Sequence, residues 1–230
     1  MKTLFLVLFL LPVLPVDSLV SMAEEKVGLN NKQVINKVEK AIGEINSLSA
    51  KFSQISITRG FGVAGETNGR LILKKPSMMR WNYETPKGMS IVVNGSRLWF
   101  YDPEDKSVYY EDFTGNFHSI SPATFLSGEV LISELFNIDL VPGKKNDKLE
   151  HIMLRLIPKK PQRSIKGVLL KVDKNTFKLM QTTFVDYLGN KNQITYTDVK
   201  IGLEIDCSRF NFIAPEGTIT KSFPNTQSLQ

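Results

Sequence analysis

Residues 69–105 combine closely spaced strand patterns with large apolar side chains, and this stretch constrains the fold more than any other part of the chain. In residues 78–81 and 98–101, side chains of both parities are apolar or aromatic. Because successive side chains of a strand point to opposite faces, both faces of such strands need a cover. Asn94-Gly95, which lies between them, is a strong signal for a tight hairpin. The stretch therefore predicts an antiparallel sheet whose apolar surface faces either the protein core or an apolar ligand.

The N-terminal residues have the pattern of a secretory signal. Lys2 precedes an apolar run over residues 4–14, and residues 21–23 (Ser-Met-Ala) fit the small residues at a signal peptidase site. The run is too short to cross a hydrocarbon core of roughly 30 Å. We therefore expect residues 1–23 to be a cleaved signal peptide and residues 24–230 to form a single exported domain. The alternative is an N-terminal anchor that is retained.

Cysteine usage and charge narrow the possible partners. Cys207 is the only cysteine, so the chain has no intramolecular disulfide, and its place in a predicted strand indicates a buried thiol. No cysteine stands at the end of the signal, so we expect a protein of the periplasm that carries no N-terminal lipid anchor. The net charge of +6 is compatible with anionic membranes or an acidic partner. Scattered Lys and Arg residues, together with export, argue against nucleic acid binding.

Two helices and many short strands are predicted. Val34, Val38 and Ile42 recur at helical spacing after Asn30 or Asn31, either of which can cap the helix. A second helix is predicted from a Ser121 cap to residue 136, and Gly128 is a point at which it can split into two short pieces. Strand patterns cover residues 48–58, 69–74, 78–83, 90–93, 97–101, 106–111, 150–157, 167–173, 179–186, 193–199, 201–207 and 210–212. This is an α+β layout of about eleven antiparallel strands, and a barrel of that width is expected to keep a cavity.

Catalytic and metal-binding patterns find little support. Residues 60–65 match Gly-x-Gly-x-x-Gly, but a strand rather than a helix follows, so we interpret them as a flexible hairpin and not as a dinucleotide site. The only histidines, His118 and His151, lack metal-ligand spacing, and no Gly-x-Ser-x-Gly nucleophile motif occurs. We therefore expect no enzyme activity, no cofactor and no metal.

A series of short motifs carries a family resemblance. In chain order these are Phe52-x-Gln54, Gly69-x-Leu71, Lys75-Pro76 with Arg80-Trp81, Pro86, Val93-x-x-Gly95, Leu98-Trp99-x-Tyr101-Asp102, Pro122-x-x-x-Leu126, Asp186-x-x-Gly189 and Phe210-x-Phe212-x-x-Pro215-x-Gly217. Each motif is weak alone, but together they cover most of residues 24–230. In their order and spacing the chain resembles the LolA family of periplasmic carriers of outer-membrane lipoproteins.

The resemblance implies an unclosed antiparallel β-barrel in which helices form a lid over a hydrophobic cavity. It further implies that acyl chains of lipoproteins arrive from an inner-membrane ABC transporter and leave to an outer-membrane receptor, with the carrier expected to be a monomer. The candidate cavity residues are Phe52, Leu71, Leu73, Met79, Trp81, Ile91, Val93, Trp99, Phe125, Leu126, Leu135 and Phe184. Family members typically carry arginine before the strand proline, where it is associated with lid opening, and Lys75 stands there in this chain. Lysine lacks arginine's planar fork of donors, so Arg80 is the second candidate for lid control.

Two other functions are compatible with the sequence. A regulatory sensor of similar fold would detect mislocalised lipids or proteins and signal by protein contact, although such sensors usually carry a second domain. A periplasmic lipid hydrolase is the other alternative, and the absence of a nucleophile motif counts against it.

Overall fold

A capped helix opens the part of the chain that this computed structural model describes, which comprises residues 30–112, 122–142, 150–162 and 164–223. The helix α1 (Asn31–Gly43) begins after Asn30, whose side chain accepts a hydrogen bond from the backbone N–H of Gln33, and the Gln33 side chain accepts one from the N–H of Asn30. This capping box satisfies two N–H groups that a helix start leaves without partners. The predicted signal peptide, His118 and the Ser121 cap lie outside the described residues.

The predicted second helix is divided into two pieces around Gly128. These are α2 (Pro122–Ser127) and α3 (Ile132–Leu135). Gly128 adopts a φ of +58°, in the left-handed region that ends helices. No described helix has both the length and the apolar character that crossing a membrane requires.

Within the described residues, twelve strands form one open sheet, which confirms the α+β class and the unclosed architecture. The strands are β1 (Ser47–Thr58), β2 (Gly62–Lys74), β3 (Met78–Tyr83), β4 (Ser90–Asn94), β5 (Arg97–Asp102), β6 (Ser107–Asp112), β7 (Phe136–Val141), β8 (His151–Pro158), β9 (Gly167–Asp173), β10 (Leu179–Val185), β11 (Lys191–Ile201) and β12 (Ile219–Ser222). Their order in the sheet is β12-β6-β5-β4-β3-β2-β1-β11-β10-β9-β8-β7. Neighbours are antiparallel except for β12, which runs parallel to β6.

The sheet differs from the sequence prediction mainly at its two edges. The predicted helix end at Phe136 is instead the start of β7, which forms one edge, and β12 forms the other. The strands predicted over residues 201–207 and 210–212 do not form, because β11 ends at Ile201 and neither residues 202–207 nor residues 210–212 are in a strand. The chain turns at Gly202, which has a φ of +75°, and continues as an extended segment with a 3-10 helix at Cys207–Phe210. The thiol of Cys207 is consequently exposed, and the predicted burial is wrong because it rested on a strand that does not form.

One face of the sheet is covered by the helices and carries two apolar clusters. The central cluster consists of Ile45, Leu48, Ala50, Phe52, Leu71, Leu73, Met79, Trp81, Val93, Leu126, Ile194 and Tyr196. The helix cluster consists of Val34, Val38, Ile42, Phe125, Ile132, Phe136, Leu154, Leu156, Val168, Leu170, Val172 and Phe177. Leu179 and Phe184 pack against both clusters, so the two join beneath the helices. Residues 202–218, hereafter called the C-terminal segment, pass over the opposite face. There Ile205 and Phe210 of this segment form a smaller buried group with Ile72 of β2.

Candidate lipid-binding site

Aromatic side chains from three strands meet at the centre of the sheet face that α1, α2 and α3 cover, hereafter called the lidded face. The ring of Phe52 lies 4.7 Å from that of Trp81 and 5.0 Å from that of Tyr83, measured between centroids. Tyr196 approaches Trp81 edge-on at 6.4 Å. The strand register explains the meeting, because Phe52 pairs with Tyr196 on one side of β1 and with Gly69 on the other. Paired residues of neighbouring strands share a face, so these side chains all point toward the helices.

The structure places all but one of the candidate cavity residues on this face. The central cluster contains Phe52, Leu71, Leu73, Met79, Trp81, Val93 and Leu126, with Ile91 and Phe184 packed against it. The helix cluster contains Phe125, with Leu135 and Phe184 packed against it. The core members are almost completely buried and touch one another. The candidate lining is therefore a closed pack of side chains.

Trp99 is the exception and lies on the other face of the sheet. It pairs with Val92 across β4 and β5, whereas the lidded face is occupied by their neighbours Val93 and Leu98. Its ring stacks on Phe212 of the C-terminal segment, with centroids 5.9 Å apart. Both parities of β5 are apolar because the helices cover one side of the sheet and the C-terminal segment the other.

Adjacent residues of α2 reach into different clusters. Phe125 packs in the helix cluster, 5.6 Å from the ring of Phe136 and 5.9 Å from that of Phe184. Leu126 packs in the central cluster beside the residues of β1 to β4. This one short helix therefore contributes to the cover of both clusters.

Polar contacts join the helices to the turn between β2 and β3. The ammonium of Lys75 donates a hydrogen bond of 2.7 Å to the carbonyl oxygen of Gly43, at the end of α1. The backbone N–H and hydroxyl of Ser77 donate to the carboxylate of Glu129, in the link between α2 and α3. Partial burial lowers the pKa of Lys75 from its ordinary value, and the nearby Glu129 carboxylate acts in the opposite direction. Lys75, Ser77, Glu129 and Gly43 are hereafter called the lid contacts.

Arg80 lies on the opposite face of the sheet, where it binds backbone carbonyl groups. Its guanidinium donates to the carbonyl oxygens of Arg209, at 3.0 Å, and Asn211, at 3.1 Å. Burial lowers its pKa, and the charge of Arg209 adds to that effect. Of the two candidates for lid control, only Lys75 contacts a helix of the lid, whereas Arg80 fixes the C-terminal segment.

The lidded face becomes polar toward the hairpin between β1 and β2. Tyr83 donates a hydrogen bond to Gln54 at 3.3 Å, and burial raises the pKa of its phenol to about 12. Tyr196 donates to Thr182 at 3.4 Å, and burial raises its pKa as well. A pocket of about 350 Å³ opens at this end, lined by Ser56, Ile57, Thr58, Ser164, Ile165, Phe184, Val185, Asp186, Asn190, Lys191 and Asn192. Phe184 joins the pocket to the packed interior.

Sequence reasoning missed several of these groups. Tyr196 shares its parity with Ile194 and could have been found from the alternation in β11. Ser77 and Glu129 are far apart in the chain, and no periodicity marks their contact. Only the folded chain shows them together.

The described residues therefore form an open, mainly antiparallel sheet, one face of which is apolar and is covered by three helices. Comparison with known proteins identifies the family of the chain. The model of the family described as outer membrane lipoprotein carrier protein LolA matches residues 43–213. The chain belongs to that family.

Individual relatives agree with the family match. An outer-membrane lipoprotein carrier protein of Azotobacter vinelandii is 28% identical over 189 residues, which is 82% of this chain and 87% of the relative. One from Francisella philomiragia is 30% identical over 187 residues, 80% of this chain and 84% of the relative. A crystal structure of an uncharacterized conserved protein from Thermus thermophilus superimposes with a TM-score of 0.53 at 10% identity, covering 83% of this chain and 98% of that one. The last likeness concerns the fold alone.

Proposed function

We propose that this chain receives acylated lipoproteins from an inner-membrane ABC transporter, carries them through the periplasm and delivers them to an outer-membrane receptor. Membership of the family supports a role as a lipoprotein carrier. The single observation that carries the mechanism is the continuous apolar face under α1, α2 and α3, which lid contacts at one turn hold closed. We propose no catalytic step.

The free energy cost of exposing acyl chains to water makes such a covered apolar face necessary. Each methylene transferred from water to an apolar site is worth about 0.8 kcal/mol, so exposing long acyl chains costs tens of kcal/mol. Leu126, Phe125 and Phe184 already provide apolar surface that faces the interior. When the helices move away, acyl chains replace the Leu126 side chain against Trp81 and Leu71, and this apolar surface remains shielded from water.

The lid contacts suit a carrier that must also release its load. Hydrogen bonds to charged groups contribute about 1.5–3 kcal/mol each, and less where solvent reaches them. The Lys75 and Glu129 contacts are therefore strong enough to favour the closed state and weak enough to be replaced by acyl-chain binding. Release to the receptor then follows if the receptor binds the chains more tightly than the reclosing interior does.

A release assay tests the proposal. Spheroplasts that make a tagged outer-membrane lipoprotein are incubated with the mature chain, residues 24–230, and the medium is analysed for a soluble complex. We expect the lipoprotein in complex with this chain when the cognate transporter is active, and transfer when a membrane-bound receptor is added. Cys207→Ser serves as the matched control, because that thiol is exposed and outside both clusters. Failure of the wild-type chain to release lipoprotein from spheroplasts with its own transporter would overturn the proposal.

A further inference from the structure

Two neighbouring hairpin tips at the pocket end of the sheet each expose large apolar side chains. In the β1–β2 hairpin Phe61 is 89% exposed and Val63 66%, and in the β10–β11 hairpin Leu188 is 74% exposed and Tyr187 55%. The tips are in contact, because the backbone N–H of Arg59 donates to the side chain of Asn190 at 3.0 Å. These four side chains are hereafter called the tip patch. Exposed apolar side chains that are clustered, rather than scattered singly, mark an interaction surface.

The charges around the tip patch are mainly positive. Arg59 and Lys191 lie on the two hairpins, and Lys166 lies beside them, where its backbone N–H donates to Val185. Asp186, the carboxylate of the β10–β11 hairpin, accepts hydrogen bonds from the backbone and side-chain N–H groups of Asn190. Aromatic and aliphatic side chains flanked by cations fit the boundary of an anionic bilayer, where rings sit at the headgroup level and basic groups meet lipid phosphates.

The position of the pocket suggests what such a membrane contact would achieve. The pocket is lined by residues of the same two hairpins, including Thr58 and Asn190, and extends to Phe184, which packs against both apolar clusters. A chain seated with its tips in the headgroup layer would have this opening at the membrane surface. Acyl chains could then pass between bilayer and interior with little exposure to water.

We propose that the tip patch docks this protein reversibly on anionic phospholipid bilayers. The contact goes beyond the proposed carriage, since it requires lipid alone and neither a transporter nor a receptor. The apolar tips supply the depth of insertion, and Arg59, Lys166 and Lys191 supply the preference for anionic lipid.

Vesicle flotation with the mature chain tests this docking. We expect binding to vesicles that contain phosphatidylglycerol, weakened by salt, and weaker binding to phosphatidylcholine alone. The double variant Phe61→Ser/Leu188→Ser should lose at least about tenfold in affinity, because both side chains lose their transfer into the bilayer. Ile213→Ser is the matched control, since Ile213 is 86% exposed but lies outside the hairpins.

Variants that remove single charges measure the electrostatic contribution to vesicle binding. Lys191→Gln should lower affinity for phosphatidylglycerol vesicles by roughly fivefold, whereas Lys178→Gln, in the exposed turn between β9 and β10, should leave it unchanged. A Phe61→Trp reporter should shift its emission to shorter wavelength on vesicle addition, and Ile213→Trp should not.

Clear outcomes overturn the docking. Absence of vesicle binding by the wild-type chain at low salt would refute it, as would equal losses in the tip and control variants. If the tip variants bind vesicles normally yet fail to accept or deliver lipoprotein, the tip patch contacts a protein instead. Because binding of soluble acyl ligands is measured without membranes, failure of docking and failure of the carrier function are distinguishable.

Discussion

The ring of Phe52 lies directly over Gly69, its partner on the neighbouring strand. A methyl group added at Gly69 would come within 2.7 Å of Phe52 Cζ and closer still to the carbonyl oxygen of Asn82. Gly69 therefore makes the space in which Phe52 meets Trp81 and Tyr83. The Gly69-x-Leu71 element of the sequence motif is explained by this contact.

Gly69→Ala should be strongly destabilising, and Gly65→Ala supplies the matched control. Both glycines lie in β2, but nothing stands within 4 Å of a methyl group at Gly65. Overpacking a core costs typically 1–3 kcal/mol, so we expect about that loss or more at Gly69 and less than about 1 kcal/mol at Gly65. Urea unfolding of both variants measures the difference. Equal losses would show that Phe52 and Asn82 can shift freely.

Lys75→Ala should loosen the lid without unfolding the sheet. The variant leaves the Gly43 carbonyl without the ammonium donor at 2.7 Å. Because the side chain is partly exposed, the closed state should lose about 1 kcal/mol, which corresponds to roughly fivefold faster uptake of a fluorescent acyl ligand. Stopped-flow fluorescence measures this rate, and Lys178→Ala is the surface control. We expect Lys75→Arg to retain slow uptake, since a guanidinium can donate to the same carbonyl. An unchanged rate in Lys75→Ala would remove Lys75 from the lid mechanism.

Gly128→Ala should favour the open lid by forcing the α2–α3 link away from α1. Gly128 has a φ of +58°, and a methyl group there would lie 2.8 Å from the carbonyl oxygen of Ile42 in α1. Gly60 also has a positive φ, +84°, but has nothing within 4 Å, so Gly60→Ala carries the backbone strain alone. That strain is about 1–2 kcal/mol. Only Gly128→Ala should accelerate uptake of the acyl ligand, and the same acceleration in Gly60→Ala would contradict a specific contact between α1 and the α2–α3 link.

Alkaline pH should weaken the fold through Tyr83. Burial raises the pKa of its phenol to about 12 in the folded chain, from an ordinary value of 10.0. The folded state therefore holds the phenol proton more tightly than the unfolded chain does. This difference contributes roughly 2–3 kcal/mol to the free energy of unfolding; the contribution is complete below pH about 10 and is lost as the pH rises toward 12. Urea unfolding across that range should show a steeper decline for the wild type than for Tyr83→Phe. Tyr196, whose pKa is also raised, keeps part of the decline in the variant.

Local pattern was sufficient for most of the fold. The spacing of Val34, Val38 and Ile42 predicted the buried face of α1, and all three are buried. The Asn94-Gly95 turn joins β4 and β5 as expected, with Asn94 accepting bonds from the following backbone N–H groups. In these segments the preference of the backbone and the demand for burial agree.

Where prediction failed, the deciding contacts are distant in the chain. Periodicity showed that both parities of β5 need a cover, but not that Phe212 covers Trp99. Residues 202–207 continue the alternation of β11, yet β11 already pairs with β1 and β10, so the sheet has no free position beside it for a returning strand. Part of the segment instead packs Ile205 and Phe210 on the outer face. Strand pairing and cover are properties of the assembled sheet, which a single segment does not encode.

The two tryptophans provide the sharpest test of which face receives acyl chains. Trp81 lies in the central cluster with Leu126, whereas Trp99 lies on the opposite face against Phe212. Trp99→Phe leaves Trp81 as the only indole, and Trp81→Phe leaves Trp99. A fatty acid brominated along its chain quenches only indoles that it touches. We expect it to quench emission in Trp99→Phe and to leave emission in Trp81→Phe nearly unchanged, with the unbrominated acid as the control for conformational effects. Quenching of Trp99 alone would place the acyl chains under the C-terminal segment and overturn the assignment of the lidded face.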